Sequence, residues 1–173
     1  MRYAILGPKT IHRDEHGSVL GRQKALWDDF DNQREGVSDG CGCYVFAVRA
    51  GRGYKPWYVG KAAKQNFRQE CFTAHKLAIY RSLMFRYRAG TPVLFLAVRE
   101  TPTGRLSNPS ERGRRDVDFL ETMLIGQALR ANIELCNVKD TKLLKDITVP
   151  GLINGPKGMP SQPVLAFKRL LNL

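Results

Sequence analysis

Acidic residues are scarce in this chain: 16 Asp and Glu stand against 28 Lys and Arg in 173 residues, a formal charge of +12 at pH 7. A field of that sign gathers polyanions, so nucleic acid is the first partner to consider, ahead of a role as a ribosomal-type structural protein. Long apolar runs are missing too, and no basic amphipathic helix stands apart from the core pattern, which sets a membrane aside. The start, Met1-Arg2-Tyr3-Ala4-Ile5-Leu6-Gly7-Pro8, has too short an apolar stretch for a secretory signal, so a cytoplasmic location is expected. Cysteine is limited to Cys41, Cys43, Cys71 and Cys136, with no C-x₂-C pair, which argues for reduced core thiols over a structural zinc site.

What the chain does have is enough for one core with extensions, since 43% of its residues are hydrophobic. Residues 1–40 read as a polar extension packed on the core, with a short helix from Arg22 to Asn32 that puts Leu26, Trp27 and Phe30 on one side. The run Cys41–Arg49 is apolar on both faces, as in a buried central strand. A hairpin loop over 50–56 and a returning strand Trp57–Gly60 follow. One helix is expected over Lys64–Arg88, a third strand over Pro92–Arg99, a mobile loop over 101–114 and a second helix over Arg115–Ala131. The domain therefore spans 41–140 as a mixed α/β fold, a small three-stranded antiparallel sheet flanked by helices. Prolines interrupt the C-terminal extension, 141–173, until a possible helix over Val164–Leu171.

Tyr44 and Tyr58 are the informative pair, each beside a glycine, in Gly42-Cys43-Tyr44 and Tyr58-Val59-Gly60. Gly60 leaves room for another backbone or a phosphate, and Lys61 adds an ammonium at the same strand end. A cation near a phenol favours the phenolate. On an unbroken helix Arg68, Phe72, His75 and Ile79 share one stripe, while Tyr80, the rival to His75, lies about 120° from Arg68. Glu121 occupies the apolar stripe of Val117, Leu124, Ile125 and Ala128, with no basic residue three or four positions away. A carboxylate so placed needs compensation from outside its helix, which a divalent metal would supply.

In this order the motifs resemble those of the GIY-YIG nuclease family over about residues 41–138. Gly42-Cys43-Tyr44 is similar to the GIY element and Tyr58-Val59-Gly60 to the YIG element. Arg68 follows ten residues after Tyr58, Glu121 sits in LETMLI, and Asn137 stands where the family has its terminal asparagine, with Asn132 as the rival. The resemblance implies a metal-dependent endonuclease acting on nucleic acid, DNA in preference to RNA, with one Mg²⁺ (or Mn²⁺) on Glu121. Under it, Tyr44 acts as general base, Tyr58 and Lys61 orient water, Arg68 and His75 neutralise the phosphate and Asn137 supports the geometry, although either tyrosine could take the proton.

The charge distribution suits such a substrate. Between Arg49 and Arg88 ten basic residues face Glu70 alone, and Arg49, Arg52, Lys55, Lys64 and Lys76, with Arg114 and Arg115 beyond, are the expected phosphate contacts. A non-catalytic nucleic-acid-binding module would use the same surface. A zinc protease reading comes from His12, Glu15 and His16, which match H-x-x-E-H, but they lie in a polar segment ended by Gly17.

Overall fold

The computed structural model describes residues 1–138, 141, 146–153 and 158–171. They form two compact units, Met1–Asn137 and Val138–Leu173. The expected domain end at residue 140 lies outside the described residues. No described helix is long and apolar enough to cross a membrane.

The first unit is mixed α+β, with an antiparallel sheet of four strands flanked by helices. Its strands are β1 (Arg2–Thr10), β2 (Gly42–Ala50), β3 (Gly53–Ala62) and β4 (Thr91–Glu100), in the order β1-β4-β2-β3. The expected count of three strands is corrected by β1, through which Arg2–Thr10 of the N-terminal segment joins the sheet. A Gly-Pro pair hides this strand in the sequence. Proline is compatible with an edge, and the pairing with β4 shifts register between Leu6 and Lys9 to absorb it.

β2 and β4 are central, which explains why both read as apolar throughout. The β2–β3 hairpin is tighter than the expected 50–56 loop: Ala50 pairs with Gly53, and Gly51 adopts φ 59° in the two-residue turn. A register shift beside Trp57 then accommodates Pro56 on the edge strand. Cys41, Cys43 and Cys71 are buried thiols.

Helix α1 (Lys24–Gln33) buries Leu26, Trp27 and Phe30 on the main core, with a 3₁₀ turn at Val37–Asp39 after it. The helix expected over Lys64–Arg88 is two helices, α2 (Phe67–Glu70) and α3 (Ala74–Arg86). Asn66 starts α2 with a capping box, and Thr73, extended at φ −62° and ψ 157°, restarts the chain into α3. Lys76 turns back to donate to the Glu70 carbonyl at the break (2.8 Å). The segment 101–114, expected to be mobile, is tied down. Ser107 donates to the Arg99 carbonyl, Cys41 donates to the Ser107 carbonyl, and the Arg114 guanidinium holds the Asn108 carbonyl.

Helix α4 (Arg115–Ala131) packs on the opposite sheet face, where Val117 joins Cys43, Ala63 and Ala97. A buried network fixes its start, with Tyr3 and Arg99 both donating to Asp116 (3.0 and 2.6 Å). In the second unit, α5 (Gln162–Leu170) has Pro163 in its first turn, where the missing N–H costs nothing.

Candidate active site

Alternation along β3 sends Tyr58 and Gly60 to one face of the sheet and Val59 and Lys61 to the other. On the first face Tyr44 pairs directly with Gly60, and the two tyrosine rings stand 6.3 Å apart. The space above Gly60 is filled by the Tyr44 ring. A Cβ on Gly60 would lie 2.3 Å from the Tyr44 hydroxyl, so this glycine admits a phenol rather than the backbone or phosphate expected.

Tyr44 is sealed. It has no solvent exposure, burial pushes its pKa well up, and its hydroxyl has no hydrogen-bond partner among the described residues. Tyr80 is equally buried, and its hydroxyl also lacks a partner of hydrogen-bond geometry among the described residues; burial pushes its pKa well up, and the neighbouring Tyr44 hydroxyl acts the other way. Tyr80 stacks on Phe46 (centroids 4.1 Å) and meets Tyr58 edge-on (6.1 Å). The break before α3 removes the angular argument against Tyr80. It is Tyr80 that joins the phenols, while His75 is exposed. Lys76, expected on the nucleic-acid surface, is instead buried, paired with Glu70 and 5.8 Å from the centre of the Tyr44 ring.

Tyr58 differs in being partly open. Burial first, then the negative charges of Glu121 and Glu70, push its pKa up to about 12, so the phenol keeps its proton at neutral pH. Across the strand Lys61 sits between two carboxylates of α4, 2.9 Å from Glu121 and 2.8 Å from Asp118. Burial disfavours the ammonium, but the hydrogen bonds it donates to both acids, with their negative charge, outweigh it and raise the Lys61 pKa. Glu121 thus has the outside compensation its sequence position demands, from a lysine of the neighbouring strand. The spacing of Asp118 and Glu121, three apart on one helix face, was the available signal for Asp118 as a second acid.

Arg68 is committed elsewhere, donating to Ser38 (2.6 Å) and Asp31 (3.3 Å) and so tying α2 to the 3₁₀ turn and α1. Asn137 accepts from the Val59 N–H (2.9 Å) and donates to its carbonyl (2.7 Å). Asn132 donates to the Pro56 carbonyl, and the Cys136 N–H to that of Trp57. The segment 132–137 therefore lies along the outer edge of β3 like a partial fifth strand. Both asparagines serve that edge.

Of the expected phosphate contacts, Arg49, Arg52, Lys64 and Arg115 are exposed. Lys55 is half-exposed, paired with Glu134 at 3.3 Å and lying over Trp57. His12, Glu15 and His16 occupy a non-helical turn, and among the described residues no group of three His, Cys, Asp or Glu side chains is placed to hold a metal. Comparison with protein-family models, curated proteins and solved structures finds no match to this chain.

Proposed function

We infer that the protein is an endonuclease of GIY-YIG type that hydrolyses a phosphodiester of nucleic acid, most readily DNA. The observation that carries this reading is Lys61 clasped by Glu121 and Asp118, with the partly open phenol of Tyr58 within electrostatic reach of Glu121. The donors fit the cation this chemistry requires. Two carboxylates on one helix face are hard oxygen ligands, and Mg²⁺ takes few protein ligands because it keeps water and phosphate oxygens. Glu121 with Asp118 would hold it, and it would supply positive charge to the scissile phosphate and offset the carboxylates.

The remaining roles belong to the chain. Lys61, released from one carboxylate, neutralises a phosphoryl oxygen. Tyr58 keeps the proton on Oη and donates a hydrogen bond to the phosphate or to the attacking water. It takes a proton as base only when the negative charge of Glu121 is offset. Tyr44, closed to water, supports Tyr58 from beneath, so the general-base role first assigned to it passes to Tyr58. Asn137 holds the Val59 peptide one residue from Tyr58 and two from Lys61.

The commitment of Arg68 to Ser38 and Asp31 favours a second reading, a module that binds nucleic acid without cutting it. Incubating the purified protein with plasmid, linear and branched DNA, in Mg²⁺ and in chelator, separates the two. Cutting only with Mg²⁺ supports the nuclease; salt-sensitive binding without cutting in either buffer supports the binding module.

A further inference from the structure

The proposed cleavage chemistry leaves unused a cavity of about 640 Å³ between residues 13–18 and the second half of α3. Its loop wall is built to stay in place. Leu20 donates to the His12 carbonyl (3.1 Å), Asp14 donates to that of Ser18 (2.8 Å), and the Asp14 carboxylate accepts from the N–H groups of His16 and Ser18. Buried Gln23 accepts from the His12 N–H and donates to the His12 and Leu20 carbonyls. A wall held this way needs no ordering when a ligand arrives.

Three guanidiniums face the cavity. Arg13 donates to the Arg88 carbonyl (3.1 Å) and Arg81 to that of Val19 (3.0 Å), each spending one of five N–H donors on backbone and being positioned by it. Arg88 stands 4.8 Å from the centre of the Phe85 ring, and Phe85 is 73% exposed. The acids are partly spent, Asp14 on its own turn and Glu15 on His16 at 3.6 Å. Arg88 also borders a second cavity of about 480 Å³ beside the β2–β3 turn, with Arg86 on the same wall.

We propose that this cavity binds an unpaired nucleotide of a single strand, its base stacked on the open face of Phe85, whose other face Arg88 covers, and its flanking phosphates on Arg13 and Arg81. In a duplex each base face is covered by the next base, so an exposed ring in a basic frame gains nothing from paired DNA and much from an unpaired base. The volume lies within the range of small-ligand sites. The inference rests on the nucleic-acid reading above and adds that the substrate has a single-stranded stretch.

Fluorescence anisotropy with the full chain in chelator, using a labelled single-stranded oligonucleotide and the matching duplex, tests it. Phe85→Ala is expected to weaken single-strand binding roughly ten- to hundredfold, with duplex binding unchanged, while Phe85→Trp, which keeps a ring, binds as tightly as the wild type. Circular dichroism should show both variants folded, because the side chain is exposed. Single-strand affinity unchanged in Phe85→Ala, or equal losses on single strand and duplex, would overturn this site and leave the nuclease reading standing. If the wild-type protein binds neither probe, the nucleic-acid reading itself fails and this site with it.

Discussion

On one side of β3, Tyr44 and Tyr80 bury hydroxyls that have no hydrogen-bond partner among the described residues; on the other, Lys61 is held by two carboxylates that water reaches. The first side has given up polar satisfaction for packing, with Phe46 stacked on Tyr80 and Gly60 vacated for Tyr44. The second keeps its charges paired within reach of water. Residue type alone does not separate them, since phenols and ammoniums occur on both. Access to water does, and of the three packed phenols on the first side Tyr58 is the one that retains it.

The largest test of this contrast is Glu121→Gln. It is expected to lower Mg²⁺-dependent cleavage by about three orders of magnitude or more, as for loss of a principal charge-stabilising group. The melting temperature should fall only slightly, because Asp118 still holds Lys61 and a partly exposed ion pair contributes about 1 kcal/mol or less. Wild-type cutting by this variant would remove Glu121 from the chemistry.

Next comes the tyrosine pair. Tyr58→Phe should slow cleavage by roughly two to three orders of magnitude, the usual contribution of a positioned proton donor or acceptor. Tyr44→Phe should leave the rate nearly unchanged and raise stability by about 1 kcal/mol, since it deletes a buried hydroxyl with no partner. Single-turnover rates and denaturant melts of both variants decide it, and the reverse pattern would give Tyr44 the active role.

Gly60→Ala confronts the Tyr44 ring with a methyl and should cost about 1–3 kcal/mol by overpacking. The double variant Gly60→Ala with Tyr44→Ala should recover part of that loss, which denaturant titration can read. The smallest effect is in pH. Folded Tyr58 holds its proton to about 12 against an ordinary value of 10.0, so between these the unfolded chain has released a proton that the native chain keeps. Stability from this group is therefore intact below about pH 10 and declines toward 12, with a shallower decline in Tyr58→Phe, measurable by denaturant melts across that window.

Central strands and the longer helices were legible because burial on both faces, or a sustained helical stripe, leaves its mark on the sequence. β1 was not, since an edge strand with one buried side chain, Leu6, and a Gly-Pro bulge has no such pattern. The break between α2 and α3 was also hidden. No proline marks it, and the backbone it exposes is satisfied by Lys76, a partner six residues from Glu70. Sequence order brought out Tyr44, Tyr58, Lys61 and Glu121 but could not say that Tyr44 is closed to solvent or that Arg68 turns to Asp31. Those depend on contacts between elements distant in sequence, as between Arg68 and Asp31, 37 residues apart, which no local window contains.

The asparagine hook on β3 sets an order of events for the growing chain. The β2–β3 hairpin closes through near neighbours, but the outer edge at Val59 waits for a residue 78 positions later. Until Asn137 has been synthesised, the strand that presents Tyr58 and Lys61 shows its bare backbone to any other strand it meets. A chain stopped shortly before residue 137 has all four strands but leaves the Val59 backbone on that margin without its asparagine.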